Sequence, residues 1–170
     1  MSIGTVIQDR KAAGMLFPLL PLAPGAASRR AMFLTEELHA VLESPEGNEE
    51  WERRVAELQA DLEYFVEGRA IDPKYLFLLY HVREAVWEIR SVREEPSIRV
   101  LGRFAERDTF IATNYALRED LGGWETRAWR DVKVMARTKW TNLFQQYQPV
   151  QGSNIHDMVS GALDGRYFRQ

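Results

Sequence analysis

Cysteine is absent from the 170-residue chain, and histidine occurs only three times, as His39, His81 and His156. Without cysteine the chain has no disulfide, no thiolate metal ligand and no cysteine nucleophile, which fits a reducing cytoplasm. The histidines share no metal-ligand spacing, so the sequence gives no reason to expect a zinc site. We therefore expect neither a metal ion nor a cofactor.

Several signatures of catalysis and of membrane targeting are also missing. The sequence contains no glycine-rich phosphate loop, no Ser-His-Asp order, no HExxH and no EF-hand pattern. Residues 10–30 combine a basic pair with an apolar stretch, but Pro18, Pro21 and Pro24 would break the helix that a signal peptide needs. We predict a cytoplasmic protein without membrane contact, and an extended, polyproline-II-like arm over residues 1–30.

The chain has enough apolar residues to build a core, and its charge is unevenly distributed. Hydrophobic residues make up 45%, with five Trp, eight Phe and six Tyr, which predicts one folded domain. The net charge of -3 gives no overall signal for nucleic acid. However, residues 1–80 carry 8 Lys/Arg against 13 Asp/Glu, and residues 81–170 carry 14 against 12. An anionic ligand is therefore expected in the second half.

The residue patterns in the first half of the chain predict mainly helices. Residues 30–38 predict a short strand that runs into a helix capped by Thr35. The clearest helix follows, because apolar residues recur at steps of four, three, four and three, at Trp51, Val55, Leu58, Leu62 and Phe65. Gly68 is a natural end for that helix. Residues 71–82 predict a further short, apolar helix or helical turn.

The second half changes to a β pattern. Residues 85–90, 97–104 and 109–116 are β-rich runs separated by turn residues, which predicts an antiparallel meander. A helix over residues 125–140 follows, and then a tail. We predict an α+β fold in which a small antiparallel sheet packs against N-terminal helices and one C-terminal helix. The segments would be an arm (1–30), an α+β domain (31–147) and a tail (148–170).

Arginines on the central predicted strands are candidate ligands for phosphate. Arg99 and Arg103 alternate with Ile98, Val100 and Phe104, so the arginines would face away from the helices. Together with Arg90 and Tyr115 of the neighbouring strands they would form a basic patch that contains an aromatic ring. Guanidinium groups bind phosphate in bidentate fashion, and an aromatic ring can stack a base.

Two other interpretations of the basic residues remain open. The strand arginines would be ordinary solvated surface if they pair with nearby carboxylates, namely Glu88, Glu94 or Glu106. The predicted helix over residues 125–140 carries a basic stripe at spacings of three, three and four, formed by Arg127, Arg130, Lys133 and Arg137. That stripe is suited to RNA or to an acidic protein segment, or it is the solvent-facing side of an amphipathic helix.

The order of elements and several short motifs resemble the RelE/ParE superfamily of bacterial toxins, in its phage-derived HigB-like branch. "FLTEELHAVLES" stands where that family has a strand running into a helix, and "VWEIR" is similar to its Leu-Trp-Glu-Leu-Arg strand. "IRVLGRF" resembles its Arg-Val-Leu-Tyr strand, and "FIATNYALRED" stands where a hydrophobic strand runs into a Lys-rich loop. The resemblance covers residues 31–145, about two-thirds of the chain.

The resemblance implies a metal-independent endoribonuclease toxin that cleaves mRNA during translation and is neutralised by an antitoxin. A base would help the ribose 2′-hydroxyl attack the adjacent phosphate, while cationic side chains stabilise the added charge. By motif position the catalytic residues would be Arg90, Arg99 and Arg118. The substrate-binding residues would be Arg103, Tyr115, Arg130, Lys133 and Arg137. The expected partners are mRNA or the ribosome, an antitoxin or other protein, and a second copy of the chain.

A second hypothesis keeps the RelE-like fold but drops the catalysis. The acidic balance of the chain and the lack of an evident general base favour a phage- or prophage-encoded binding protein that holds a host protein or nucleic acid. The two hypotheses differ in one geometric expectation. An enzyme requires Arg90, Arg99 and Arg118 to converge on one concave surface.

Overall fold

The computed structural model describes residues 1–90 and 97–169. Its helices are α1 (Ile3–Ala12), α2 (Glu36–Glu43), α3 (Glu49–Val66), α4 (Arg118–Leu121), α5 (Arg127–Phe144) and α6 (Ile155–Met158), with a 3-10 turn at Val82–Glu84. Its strands are β1 (Leu16–Pro18), β2 (Ala31–Thr35), β3 (Leu76–Leu78), β4 (Trp87–Ile89), β5 (Ile98–Glu106) and β6 (Thr109–Leu117).

The strands form one six-stranded sheet in the order β1-β2-β6-β5-β4-β3. The predicted α+β class is confirmed, but the sheet is mixed rather than antiparallel, because β2 runs parallel to β6. The predicted meander of β4, β5 and β6 is present with antiparallel pairing. The parallel neighbour could not be read from residues 30–38, since a short strand carries no mark of the partner it will pair with.

Helices cover both faces of this sheet. On one face Ile98, Val100 and Phe104 share a core with Leu62 and Phe65 of α3, as the alternation predicts. On the opposite face α1 and α5 pack against the sheet through residues such as Ala105, Ile111, Ala136 and Trp140. The expectation that Arg99 and Arg103 face away from the helices is therefore wrong for Arg103, which is buried beneath α5 together with Leu101.

The N-terminal segment is not an extended arm. Ser2 caps α1 by accepting a hydrogen bond from the Thr5 amide, and the buried Val6 and Ile7 belong to the same core as Trp140. β1 then pairs antiparallel with β2. The prolines that indicated an extended arm begin only at residue 18, so they leave the preceding helix undisturbed.

Of the helix or helical turn predicted over residues 71–82, only one turn is present, in which the Tyr75 and Leu76 amides donate to the Asp72 carbonyl. The Asp72 carboxylate accepts hydrogen bonds from the Lys74 and Tyr75 amides, which makes a turn, and β3 follows it. Leu76 pairs with Ile89 of β4 and is fully buried. A short apolar run is compatible with a buried helix or with a buried strand. Here the run pairs with the edge of β4, and it is therefore a strand.

The last residues of the chain are packed rather than loose. α6 contributes the buried Ile155 and Met158 to the α3-side core. Further on, Leu163 donates its amide to the Ile71 carbonyl, and the Tyr167 carbonyl accepts the Leu78 amide at 2.7 Å. Residues 163–169, called the C-terminal segment below, therefore lie along the edge strand β3.

Candidate functional site

A cavity of about 640 Å³ opens where β3, β4 and β5 meet the start of α5 and the C-terminal segment. Arg90, Arg99 and Arg118 all line it. Arg90 follows the last residue of β4, Arg99 lies on β5, and Arg118 begins α4 directly after β6. Three consecutive strands of the meander thus bring together the three arginines for which the resemblance implies a catalytic role.

The cavity is strongly cationic. Among the described residues that line it there are six cationic side chains, namely Arg90, Arg99, Arg118, Lys133, Arg166 and Arg169. Only two carboxylates lie on the same walls, Glu88 and Glu125. Low-dielectric walls strengthen the field of such a cluster, so the cavity favours an anionic ligand although the whole chain is acidic.

Arg90 is oriented by three contacts. Its Nε donates a hydrogen bond to the Glu88 carboxylate at 2.5 Å, and Glu88 is 1% exposed. Its Nη1 donates to the Pro73 carbonyl at 3.4 Å, and its guanidinium carbon lies 4.1 Å from the centroid of the Phe77 ring. This agrees in part with the interpretation of paired strand arginines, because Arg90 pairs with Glu88; Glu94 lies outside the described residues.

Arg118 positions the loop that forms the rim of the cavity. Its backbone amide donates to the Ser97 carbonyl, and its Nη1 donates to the Gly122 carbonyl at 2.9 Å. Gly122 adopts a φ of 70°, and a side chain at Gly123 would meet nothing within 4 Å. The loop therefore has free space at Gly123, and both glycines line the cavity. It leads to Thr126, whose hydroxyl caps α5 by accepting from the Trp129 amide.

Lys133 reaches the cavity from the buried face of α5. Its side chain is 5% exposed, and its ammonium group donates to the Glu125 carboxylate and to the Tyr80 carbonyl. The prediction of one basic stripe on α5 is therefore wrong at Lys133, because its neighbour Glu125 draws it inward. Arg127 is 89% exposed at its side chain and does not line the cavity.

Arg103, predicted to bind substrate, lies away from the cavity and under α5. It is 9% exposed, donates to the Glu84 carbonyl, and its guanidinium lies 5.7 Å from the Trp140 ring. Burial, together with the charge of Arg137, lowers the pKa of Arg103 to about 10, while Glu84 acts in the opposite direction. This arginine joins β5 to α5 and is not placed to touch a ligand in the cavity.

The remaining predicted binding residues also lie outside the cavity lining. Tyr115 packs near Trp51 on the α3 side, with ring centroids 6.5 Å apart. Arg130 donates to the Glu125 carbonyl at 2.7 Å from the exposed side of α5. Arg137 lies 3.9 Å from the Glu84 carboxylate. Of these three, only Arg130 contacts the cavity loop.

Several lining residues were not found from the sequence. Trp124 is 57% exposed, and its ring lies 5.4 Å from that of Tyr80 and 4.6 Å from the guanidinium of Arg169. Phe77 and Phe168 add further aromatic surface. The only sequence signal for the C-terminal residues is "RYFR" at 166–169, in which two arginines enclose two aromatic residues. Exposed aromatic rings beside arginines are suited to stacking a base next to its phosphates.

Residues 1–90 and 97–169 lack two other features, a cluster of metal ligands and a membrane-spanning helix. Within these ranges no three His, Asp or Glu side chains are grouped so that they could hold a metal ion. Within the same ranges no helix combines the length and the apolar character that crossing a bilayer requires.

Comparison of the chain with protein-family models, with curated proteins and with solved structures finds no match. The class that the fold and the cavity define is therefore an α+β protein with a cationic, aromatic-lined cavity at one edge of its sheet. This arrangement can hold a phosphate between guanidinium groups and stack a planar ring against Trp124.

Proposed function

We propose that the cavity binds single-stranded RNA and that the protein is a RelE/HigB-like endoribonuclease that cleaves mRNA during translation without a metal ion. The observation that carries this proposal is the convergence of Arg90, Arg99 and Arg118 on one cavity that also contains an exposed tryptophan. Arginines bind phosphate, and the tryptophan offers a base an aromatic face.

The order of elements supports the same proposal. β2 runs directly into α2, and the long helix α3 is followed by Gly68 at a φ of 80°. β4, β5 and β6 then carry three of the four motifs on which the resemblance rests, and α5 comes next. Since a fold hosts many activities, the cavity rather than this order carries the functional argument.

The cavity offers the groups that RNA transesterification needs. In the proposed reaction the ribose 2′-oxygen attacks the adjacent phosphorus while its proton passes to the Glu125 carboxylate, which is 19% exposed against 1% for Glu88. The bond from phosphorus to the 5′-oxygen breaks, and water protonates the departing oxygen. Arg99 and Arg118 stabilise the negative charge that develops on the phosphate. The products are a 2′,3′-cyclic phosphate and a 5′-hydroxyl.

Cleavage of a labelled mRNA in a translation extract, repeated on a purified RNA oligonucleotide in the presence of EDTA, tests this function. We expect 2′,3′-cyclic phosphate ends, and no cut where the 2′-hydroxyl is replaced by 2′-O-methyl. Arg118→Ala should slow cleavage about 100-fold, since it removes one stabilising cation from the transition state. Glu125→Gln should slow it by a similar factor.

Arg53→Ala is the matched control, because Arg53 is an exposed arginine of α3 that does not line the cavity. It changes the net charge as Arg118→Ala does and should cleave at the wild-type rate. Arg90→Ala is a poor choice, since it would leave the buried Glu88 carboxylate without its cation. Wild-type protein that neither cuts RNA nor arrests growth when its expression is induced would refute the endoribonuclease proposal.

A second candidate function is a binding protein on the same fold, and a groove that shares no lining residue with the cationic cavity favours it. This groove, of about 550 Å³, lies between residues 19–22, α2 and α3. Leu20 and Leu22 at its edge are 68% and 78% exposed. Glu52 and Glu63 also line it, so it fits an amphipathic, basic protein segment.

Leu20→Ser with Leu22→Ser separates the two functions. If the protein is a binding module, this double variant loses a partner that the wild type retains at moderate salt and after nuclease treatment. If the protein is an endoribonuclease, the same variant cleaves RNA at the wild-type rate, because neither leucine touches the cationic cavity.

A further inference from the structure

The C-terminal segment forms one wall of the cationic cavity. Arg166, Phe168 and Arg169 all line it, although they lie beyond the part of the chain that resembles the toxin family. We infer that Arg166 and Arg169 form a second phosphate subsite beside Trp124, so that the cavity holds an RNA strand with phosphates on both sides of a stacked base. This inference rests on the proposed function and extends it to the C-terminal segment.

The segment is held rigidly enough to serve as a binding wall. Tyr167 is 1% exposed, and its hydroxyl donates to the Ile71 and Leu163 carbonyls at 2.9 and 2.7 Å. Its carbonyl accepts the Leu78 amide, and Phe168 forms a bridge with Leu78. The arginines at 166 and 169 thus flank an anchored residue, and less conformational entropy is lost when they bind a ligand.

Trp124 fixes the position of Arg169. The guanidinium carbon lies 4.6 Å from the centroid of the indole ring, in contact with its face. A stacked guanidinium still presents its N–H groups at the edge, so Arg169 can bind a phosphate while it remains on Trp124. Because Trp124 is 57% exposed, part of its surface is left for a nucleotide base.

The two groups of cations reach the cavity from different parts of the chain. Arg118 is bonded to the Gly122 carbonyl, before Trp124 in the rim loop, and lies at the ends of the strands with Arg90 and Arg99. Arg169 contacts Trp124 from the C-terminal segment. A single nucleotide with one phosphate would occupy only one of these groups. A strand of two or more phosphates can occupy both.

The test measures how affinity grows with the length of the ligand. The probes are 2′-O-methyluridine 3′-phosphate and the 2′-O-methyl tetrauridylate, neither of which can be cleaved by 2′-hydroxyl attack. Wild-type protein should bind the tetranucleotide more tightly than the mononucleotide. Arg166→Ala with Arg169→Ala should weaken tetranucleotide binding about tenfold, the order expected for two solvent-facing charge contacts, and leave mononucleotide binding unchanged. In this variant, the slope of the logarithm of the tetranucleotide association constant against the logarithm of the salt concentration should be shallower by about one to two than in the wild type.

Arg53→Ala with Arg127→Ala is the matched control, because it removes two exposed arginines that do not line the cavity. It should leave both affinities within twofold of wild type. The inference is overturned if Arg166→Ala with Arg169→Ala keeps the full difference in affinity between the tetranucleotide and the mononucleotide. It is also overturned if the control variant loses as much of that difference. In either case Arg118→Ala would still weaken the binding of both ligands, and the proposed function would stand. If neither ligand binds wild-type protein, the proposed function and this inference both fail.

Discussion

Buried ionisable side chains in this protein hold the fold together, and Tyr75 is a clear example. It is 3% exposed, and its hydroxyl donates to the Asp61 carbonyl at 2.5 Å. Burial, and next the charge of Asp61, raise its pKa well above the ordinary tyrosine value of 10.0. A neutral phenol is therefore built into the core between α3 and the start of β3.

The raised pKa of Tyr75 predicts a loss of stability at alkaline pH. Above about pH 10 the unfolded chain loses the Tyr75 proton while the folded chain keeps it, so the folded state binds more protons and its stability falls as pH rises. This single group contributes up to about 1.4 kcal/mol per pH unit. Tyr75→Phe should lose about 1 kcal/mol at pH 8. Between pH 9 and 11, however, its unfolding free energy should fall less steeply than that of the wild type.

Urea unfolding of both proteins at pH 8, 9, 10 and 11 measures this difference. Arg103 acts in the opposite direction. Its folded-state pKa of about 10 is lower than that of an exposed arginine, so its contribution to stability rises as the pH increases above 10. That contribution is common to both proteins and cancels in the comparison. Identical slopes for Tyr75→Phe and wild type would show that the Tyr75 proton is not linked to folding.

At the scale of elements, the start of α5 ties helix stability to the shape of the cavity. The Thr126 hydroxyl accepts from the Trp129 amide at 3.3 Å and donates to the Leu121 carbonyl at 2.5 Å. These two bonds close the loop that presents Trp124. An N-cap contact of this kind contributes about 1 kcal/mol.

Thr126→Ala should therefore reduce both stability and ligand binding. We expect a loss of about 1–2 kcal/mol in unfolding free energy and weaker binding of the 2′-O-methyl tetrauridylate. Asn48→Ala is the matched control, since Asn48 caps α3 by the same kind of bond, to the Trp51 amide, and does not line the cavity. It should cost about 1 kcal/mol without any change in affinity. If the two variants bind the tetrauridylate with equal affinity, the Thr126 cap does not influence the cavity.

The hairpin of β5 and β6 depends on a glycine at its bulge. The register shifts between Leu101 and Gly102, and a Cβ at Gly102 would lie 2.1 Å from the Ile111 carbonyl oxygen. Gly102→Ala should therefore destabilise the protein by about 3 kcal/mol, since backbone must move to admit the methyl group. The methyl group of Gly123→Ala would meet nothing within 4 Å, so this control variant should have nearly the stability of the wild type. Thermal unfolding of both variants measures the difference. A mild effect of Gly102→Ala would contradict this close packing of the two strands.

At the scale of the whole molecule, Arg30 connects four distant parts of the chain. It is 3% exposed and donates to the carbonyls of Phe65, Arg69 and Ser160 at 2.7–2.9 Å. Its Nε lies 3.5 Å from the Asp108 carboxylate in the turn between β5 and β6. Asp108 in turn accepts from the Ser160 amide and hydroxyl. This network fixes β2 beside β6, α3 and the residues after α6.

Arg30→Met should be strongly destabilising, by about 3–5 kcal/mol, because it leaves the Asp108 carboxylate and three carbonyls without their cation. Arg29→Met, at the adjacent but exposed position, should change stability by no more than about 0.5 kcal/mol. Chemical unfolding gives the free energies, and hydrogen exchange should show faster exchange of the Ser160 amide in Arg30→Met. Unchanged protection at Ser160 would mean that the network does not hold the end of the chain.

The elements that the sequence predicted correctly are those whose signal is local. α3, α5 and strands β4 to β6 follow from apolar periodicity and alternation, which reflect burial on one face of each element. β3 was mistaken for a helix because its identity depends on pairing with β4. The spacing of the helix placed Lys133 in one stripe with the other basic residues of α5, because spacing alone cannot show that Glu125 and Tyr80 draw its ammonium group inward.

The family resemblance singled out the three arginines that line one cavity. By itself, the sequence determined the α+β class and the antiparallel meander. Each follows from residues close together in the chain, whose spacing fixes which side of a strand or helix they share. Only the tertiary structure decided which of the other cations meet the cavity. Arg103 is buried under α5, while Arg166 and Arg169 reach the cavity because β3 binds the C-terminal segment. Contacts between residues far apart in the chain arise from packing, and no local pattern encodes them.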